Sequence, residues 1–112
     1  MKKIEAIIRP AKVDAVCESL DKVGHPGMMI TEMEGHGAQK GMKKMLRGKE
    51  YTVEFITKTK IDIIAKDEDV DKLVKAIREA AYTGEVGDGK IFISTVDDAI
   101  RIRTAEKGNS AV

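Results

Sequence analysis

The sequence is poor in aromatic residues and in cysteine. Its 112 residues include two Phe, two Tyr and no Trp, so an average core side chain buries less surface than in most domains. Small domains with a modest core often gain stability by oligomerisation, and we expect this here. The single cysteine, Cys17, cannot form an internal disulfide, which predicts a protein of the reducing cytoplasm.

A long apolar run and a large excess of one charge are also missing. No apolar stretch approaches the roughly 20 residues of a membrane-spanning helix. Glu5, Arg9 and Pro10 interrupt the basic N-terminus, which is therefore unlike a signal peptide. The formal net charge of +1 argues against nucleic acid or a membrane surface as a general partner. An RNA-binding sheet would also need stacking aromatic residues, which are scarce here.

Two segments of the chain resemble each other and lie about half a chain length apart. Lys3–Leu20, KIEAIIRPAKVDAVCESL, aligns with Lys60–Ile77, KIDIIAKDEDVDKLVKAI. Each begins with a β-rich run and continues into an apolar stripe with helical spacing, and another strand follows each helix. The order βαββαβ predicts one α+β domain over residues 1–112 with the ferredoxin-like fold, a four-stranded antiparallel sheet with both helices on one face.

The predicted elements can be placed along the chain. The helices carry the apolar stripes from Val13 to Val23 and from Val70 to Ala80. The strands are Ile4–Ile8, Met28–Glu34, about Thr52–Ala65, and Ile91–Val96. Neither face of these strands is cleanly polar, so we expect other copies of the chain to cover the face that the helices leave open. A ring of three suits this topology.

Residues 35–51, GHGAQKGMKKMLRGKEY, break the regular patterns. The stretch contains four glycines and a cluster of Lys and Arg, and its apolar residues have no steady period. It joins the second and third predicted strands, where a hairpin turn of a few residues would be enough. Structureless segments of this length are uncommon in compact domains and are usually functional or disordered. We therefore predict a functional loop.

A second glycine-rich stretch, TGEVGDGKI, covers Thr83–Ile91. Its glycines permit positive φ angles and a close backbone approach, and Lys90 adds a positive charge. Such a loop can present N–H groups to a phosphate, although a plain turn is the alternative and the spacing is not that of a Walker A motif. Arg101 and Arg103 would project to one side of an extended chain and could clamp a polyphosphate, or be a solvated pair. Together these features favour an anionic ligand.

The two histidines raise the possibility of an enzyme. His36 or His25 could pass phosphoryl groups on a ferredoxin-like fold. Neither has an acid or base at a telling spacing, so we favour histidines in loops without a catalytic role. Cys17 lies on the apolar face of the first helix and is predicted to belong to the core.

Four motifs together resemble the PII signal-transduction proteins, the GlnB/GlnK-type nitrogen regulators. They are KKIEAIIRP at the start, residues 35–51 with their RGKEY ending, TGEVGDGKIFI, and IRIRT near the end. The resemblance covers the whole chain. It implies a homotrimer of ferredoxin-like subunits with a T-loop at about residues 37–55, a B-loop at about 82–90 and a C-loop at about 101–109.

The resemblance implies that ATP or ADP binds in clefts between subunits, together with 2-oxoglutarate, which chelates Mg²⁺ held by the ATP phosphates. The residues implied for ATP or ADP are Gly27, Met28, Met29, Gly35, His36, Gly37, Ala38, Gln39, Ile64, Gly87, Asp88, Gly89, Lys90, Arg101 and Arg103. Those implied for 2-oxoglutarate are Gln39, Lys40, Gly41, Lys58 and Gly87, with Gln39 also implied for Mg²⁺.

The implied function is that of a regulator rather than an enzyme. In this family the T-loop contacts the target, here an ammonium transporter that would recruit the cytoplasmic protein to the membrane, or a nitrogen-assimilation enzyme such as glutamine synthetase. Arg47 matches the residue that plugs the channel, and Tyr51 matches a tyrosine that some bacteria uridylylate. The target-binding residues implied are Arg47, Lys43, Lys44, Met45 and Tyr51.

Three positions depart from the family pattern. Ala38 stands where an arginine usually reaches the γ-phosphate, Met29 replaces a threonine near the adenine, and His36 replaces an aromatic residue. Three hypotheses therefore follow: a ligand-controlled nitrogen sensor, a phosphotransferase or phosphatase that uses His36, and a PII-like interaction module that does not respond to ligands.

Overall fold

The computed structural model describes the backbone of residues 1–46 and 49–112, and the side chains of residues 1–35 and 56–112. The strands are β1 (Lys2–Ile8), β2 (Met29–Leu46), β3 (Lys49–Ala65) and β4 (Gly89–Thr95), and the helices are α1 (Val13–Val23) and α2 (Val70–Ala81). The sheet has the order β2-β3-β1-β4, and each neighbouring pair is antiparallel. The predicted βαββαβ order and ferredoxin-like sheet are confirmed.

The core lies between the sheet and the two helices. Along β1 every second residue is buried, and its partners in β3 and residues of both helices complete the cluster. The fully enclosed large side chains are Ile4, Ile8, Val16, Leu20, Ile61, Ile63, Leu73 and Ile77. The predicted helical stripes supply the inward faces, because residues three and four apart share one side of a helix.

The internal repeat has a direct counterpart in the helix packing. The hydroxyl group of Ser19 donates to the backbone carbonyl of Ala76 at 3.1 Å, and these two residues are 57 positions apart. They are therefore equivalent positions in the two copies, so α1 and α2 meet at matching points of the repeat.

Strands β2 and β3 are longer than predicted. Expected to end at Glu34 and to begin at Thr52, they instead reach Leu46 and Lys49, so the prediction was wrong at these ends. Strand β1 stops opposite Thr59, so residues 49–58 pair with β2 alone. We call this two-stranded ribbon, residues 33–46 and 49–58, the hairpin arm. Its ladder is irregular between Gly37 and Met42. A ribbon with no helix over it has no core to face, so it needs no apolar alternation, which is why the pattern favoured a loop.

The sheet face away from the helices carries both apolar and charged side chains. Phe92 is 50% exposed and Met29 is 60% exposed on this face. Near them, the carboxylate of Asp62 lies 3.9 Å from the Lys3 ammonium group and 3.7 Å from that of Lys60. None of the described helices is long and apolar enough to cross a membrane.

Candidate functional site

The glycine-rich loop connects α2 to β4 and occupies residues 82–88, with Gly89 opening the strand. Gly84, Gly87 and Gly89 have φ angles of 88°, 102° and 102°, a region that other residues rarely adopt. A Cβ atom on Gly89 would stand 1.8 Å from the backbone oxygen of Ile7, because the register places Gly89 opposite Ile8. The glycines at these positions therefore have a conformational reason, as the sequence indicated.

The carboxylate of Asp88 faces into its own loop. One oxygen accepts the N–H groups of Thr83 and Gly84 at 2.9 and 3.0 Å. The other accepts the Thr83 hydroxyl group and the Nε of Arg9, the latter at 3.1 Å. Hydrogen bonds from Thr83, Gly84 and Arg9 hold the pKa of Asp88 far below its usual range. Asp88 is therefore an organiser of the loop in this structure, with its acceptor positions occupied.

Arg9 reaches the loop from the end of β1. Besides its contact with Asp88, it donates from Nη2 to the carbonyl oxygen of Val86 at 2.9 Å. Its side chain is about one-third exposed. The next residue is Pro10, which opens a short turn before α1, so the backbone of Arg9 is held between two ordered elements. The sequence analysis noted Arg9 only as a charge near the N-terminus and missed this role.

The base of the hairpin arm touches the same loop. The Lys58 ammonium group donates to the carbonyl oxygen of Gly87. Lys58 lies on β3 just before the point where β1 pairs, opposite Met33 on β2. Lys90 is exposed on β4 and pairs with Ile7. Among the predicted ligand residues, the structure thus brings together Lys58, Gly87 and their neighbours in the loop.

A cavity of about 330 Å³ lies on the helix side of the loop. Its lining is mostly apolar, with Ile8, Ile77, Ala81 and Ile91, and includes Asp88–Lys90 at one end. Arg78 and Tyr82 close the other side, with the guanidinium carbon 5.4 Å from the ring centroid. The sequence reasoning did not name Arg78 or Tyr82, whose proximity depends on α2 packing beside β4.

The remaining predicted ligand residues with described side chains lie elsewhere in the single chain. Gly27 and Met28 precede β2, Met29 opens it opposite Asp62, and Ile64 is half-buried on β3 opposite Lys3. Gly35 lies on β2 opposite Ile56. Within the described residues, none of these hydrogen-bonds the glycine-rich loop.

Arg101 and Arg103 are not on an extended strand. Ile100 forms an isolated bridge with Lys107, and the chain turns between them, with the N–H of Ala105 bonded to the carbonyl of Arg101 at 2.8 Å. The guanidinium group of Arg101 contacts the backbone oxygen of Ser110 at 3.2 Å and the Glu106 carboxylate at 3.9 Å. The expected extended pair is therefore replaced by a closed turn, because the local backbone bonds outweigh strand pairing at this edge.

Several predictions fall outside the described side chains. These concern His36, Gly37, Ala38, Gln39, Lys40, Gly41, Lys43, Lys44, Met45 and Tyr51. Arg47 lies outside the described residues altogether. In the parts of the chain whose side chains are described, no group of three His, Cys, Asp or Glu could hold a metal ion.

His25 has a described environment. Its Nε2 lies 2.9 Å from the Asp21 carboxylate one helical turn earlier. The other ring nitrogen is enclosed and, among the described atoms, has no hydrogen-bond partner. Since one nitrogen is engaged and the other is shielded, His25 offers no accessible nucleophile in this arrangement. Cys17 is only half-buried, with its sulfur 3.8 Å from that of Met28, and burial raises the pKa of its thiol.

Comparison with known proteins decides the family. The family model for the nitrogen regulatory protein P-II matches residues 1–106. The chain belongs to the P-II family. Among relatives named nitrogen regulatory protein P-II, that of Microchaete diplosiphon is 54% identical and that of Azospirillum brasilense 50% identical, each over 100% of both chains. The crystal structure of Arabidopsis thaliana PII bound to citrate has a TM-score of 0.80 and 37% identity, covering 99% of this chain and 91% of that one.

These findings confirm the resemblance drawn from the four motifs. The relatives are named as regulatory proteins, which agrees with the expectation that this P-II protein is a regulator. The glycine-rich loop and the base of the hairpin arm, which carry two of those motifs, are the parts that the structure joins through Lys58.

Proposed function

We propose that this P-II protein is a non-enzymatic nitrogen sensor. It binds ATP or ADP at the glycine-rich loop and 2-oxoglutarate beside it, and it reports their presence through the hairpin arm to an ammonium transporter or an enzyme such as glutamine synthetase. The contact between Lys58 and Gly87 carries this proposal, because it couples the base of the arm to the loop. A ligand that competes for either group changes what the other can contact.

The chemistry of the loop suits a polyphosphate. Lys58, Lys90 and the exposed glycine backbone supply positive charge and N–H donors in a small area. Asp88 would repel phosphate if its charge were free, but Arg9 lies against it and neutralises it. Lysine is a common phosphate ligand because its ammonium group is a compact point charge.

The second ligand is proposed from family and chemistry. The Arabidopsis relative was solved with citrate bound, and citrate and 2-oxoglutarate are both small polycarboxylates. A keto acid with two carboxylates chelates Mg²⁺ through oxygen atoms, the ligands that this ion prefers. Lys58 fits the role of a cationic partner for the distal carboxylate. Gln39, the residue proposed for Mg²⁺, lies outside the described side chains.

The nucleotide site is proposed to be completed by a second copy of the chain in a homotrimer. The half-exposed Phe92 and Met29 on the open sheet face support burial of this face between copies. In the single chain Arg101 contacts only its own C-terminal segment, so it would reach a nucleotide from a neighbouring subunit. Sedimentation should give a trimer, and Phe92→Glu should shift it towards the monomer, because the substitution would bury a charge.

The nucleotide proposal is tested by calorimetric titration with Mg-ATP. Lys90→Gln should weaken binding about tenfold, since a charge-assisted hydrogen bond contributes roughly 1.5–3 kcal/mol. Lys22→Gln is the matched control, because Lys22 is 74% exposed and pairs only with Glu18 on α1. Equal affinity of the two variants would contradict a phosphate role for Lys90. Turnover of ATP that is lost in His36→Ala would support the phosphotransferase hypothesis instead.

A further inference from the structure

The glycine-rich loop is held from below by groups that are distant in sequence. Arg9 donates to two of its acceptors, the Asp88 carboxylate at 3.1 Å and the Val86 carbonyl at 2.9 Å. Lys58 donates to the next carbonyl, that of Gly87. Two consecutive carbonyl groups of the loop therefore face cationic side chains from β1 and β3.

The direction of these carbonyls fixes the direction of the neighbouring N–H groups. In a trans peptide the C=O and N–H bonds point to opposite sides, and the described chain has no cis peptide. The Val86 carbonyl shares its peptide with the Gly87 N–H, and the Gly87 carbonyl shares its peptide with the Asp88 N–H. Holding the carbonyls against Arg9 and Lys58 therefore turns these N–H groups away from the cations, towards the opposite side of the loop.

The carboxylate of Asp88 completes the arrangement from within the loop. It accepts the N–H groups of Thr83 and Gly84 and the Thr83 hydroxyl group, as well as Arg9. With four donors it has no free acceptor site for a fifth ligand. It closes the start of the loop onto its end, and Arg9 anchors both to β1.

We propose that Arg9 and Asp88 are positioning residues that together set the orientation of the loop peptides for phosphate binding, without contacting the nucleotide themselves. We name this pair the loop clamp. The inference deepens the proposed function and rests on it. It differs from the expectation that Asp88 is a direct nucleotide ligand, and it adds Arg9, which the sequence analysis did not include among the site residues.

The two parts of the clamp should act as one unit. Arg9→Gln and Asp88→Asn should each weaken ATP binding about tenfold, which corresponds to about 1.4 kcal/mol. The double variant should be no weaker than either single variant, because each substitution already releases the loop. Arg9→Lys should not rescue binding, since an ammonium group lacks the planar fork that bonds two acceptors at once. Glu18→Gln, which breaks the exposed pair on α1, is the control and should bind ATP normally.

A positioning role is separated from general destabilisation by the choice of ligand. Adenosine has no phosphate, so its binding, measured by equilibrium dialysis, should be the same in the wild-type protein and in Asp88→Asn. An equal loss for ATP and adenosine would overturn the proposal, as would ATP binding that is unchanged in both clamp variants. Recovery of ATP affinity in the double variant would also overturn it, because it would show that Arg9 acts only by neutralising a charge.

Amide hydrogen exchange tests the clamp without any nucleotide. The N–H groups of Thr83 and Gly84 should exchange faster in Asp88→Asn and in Arg9→Gln, while those of α1 stay protected. Unchanged exchange at these two amides would overturn the clamp itself. If the wild-type protein binds no ATP, the proposed function and the ligand part of this inference both fail. The exchange result then still decides whether the clamp orders the loop.

Discussion

Gly89→Ala is expected to be among the most damaging small substitutions in the described chain. Gly89 has a φ angle of 102°, and a Cβ atom there would stand 1.8 Å from the backbone oxygen of Ile7. A strained backbone conformation of this kind costs about 1–3 kcal/mol for a residue with a side chain. The contact adds to this cost, because neither partner is a flexible side chain and β1 and β4 must separate locally. We expect a total loss of about 4 kcal/mol or more, at the high end for a single substitution.

Gly87→Ala is the matched control for this substitution. Gly87 has the same φ angle of 102°, but a Cβ atom there would meet the end of the Arg9 side chain at 3.3 Å. A flexible guanidinium group can move by a few tenths of an ångström, so this variant should lose only the backbone term of about 1–3 kcal/mol. The difference between the two variants therefore isolates the contact with the Ile7 carbonyl.

The assay is urea unfolding at one fixed protein concentration, because the stability of an oligomer depends on concentration. The unfolding free energy should fall in the order wild type, Gly87→Ala, Gly89→Ala. Equal losses in the two variants would refute the close approach of β4 to β1 at this position. A smaller loss for Gly89→Ala than for Gly87→Ala would refute the described register between Gly89 and Ile8.

Three other predictions concern pH, the core and the cysteine. The pKa of Asp88 is lower in the folded chain than the usual value near 3.9, so its contribution to stability is present above about pH 5 and is lost as the pH falls below 4. The difference in unfolding free energy between wild type and Asp88→Asn should therefore shrink on acidification. Ile61→Ala should cost about 2–5 kcal/mol in urea unfolding, because Ile61 is fully buried, whereas the 38% exposed Val23 should lose about 1 kcal/mol or less as Val23→Ala. Burial raises the pKa of Cys17, so iodoacetamide should alkylate it more slowly at pH 8 than the same thiol in urea.

Local patterns were enough to predict the fold. The stripes on α1 and α2 recur at helical spacing and end near Gly24 and Tyr82, as the structure has them. The repeat between Lys3 and Lys60 placed the two halves, since each copy must bury its apolar face against the other. Both signals come from burial, which leaves a direct trace in the sequence.

The hairpin arm and the loop clamp left weaker traces. Strand pairing in the arm depends on backbone hydrogen bonds, which any residue except proline can make, so no side-chain pattern was required. The clamp depends on a contact between Arg9 and Asp88, 79 positions apart, and only the pairing of β1 with β4 brings them together. The closed turn after Arg101 depends in the same way on bonds to Glu106 and Ser110. Residues that act through distant contacts need the topology before they can be recognised.

The most direct test of the sensor is a titration with 2-oxoglutarate in the presence and absence of Mg-ATP. The account predicts that 2-oxoglutarate binds only when Mg-ATP is present, since the keto acid is proposed to chelate the nucleotide's metal ion. Lys58→Gln should weaken this second binding step, because Lys58 is the cationic group that the structure places at the loop. Binding of 2-oxoglutarate without nucleotide, or none in its presence, would contradict the account.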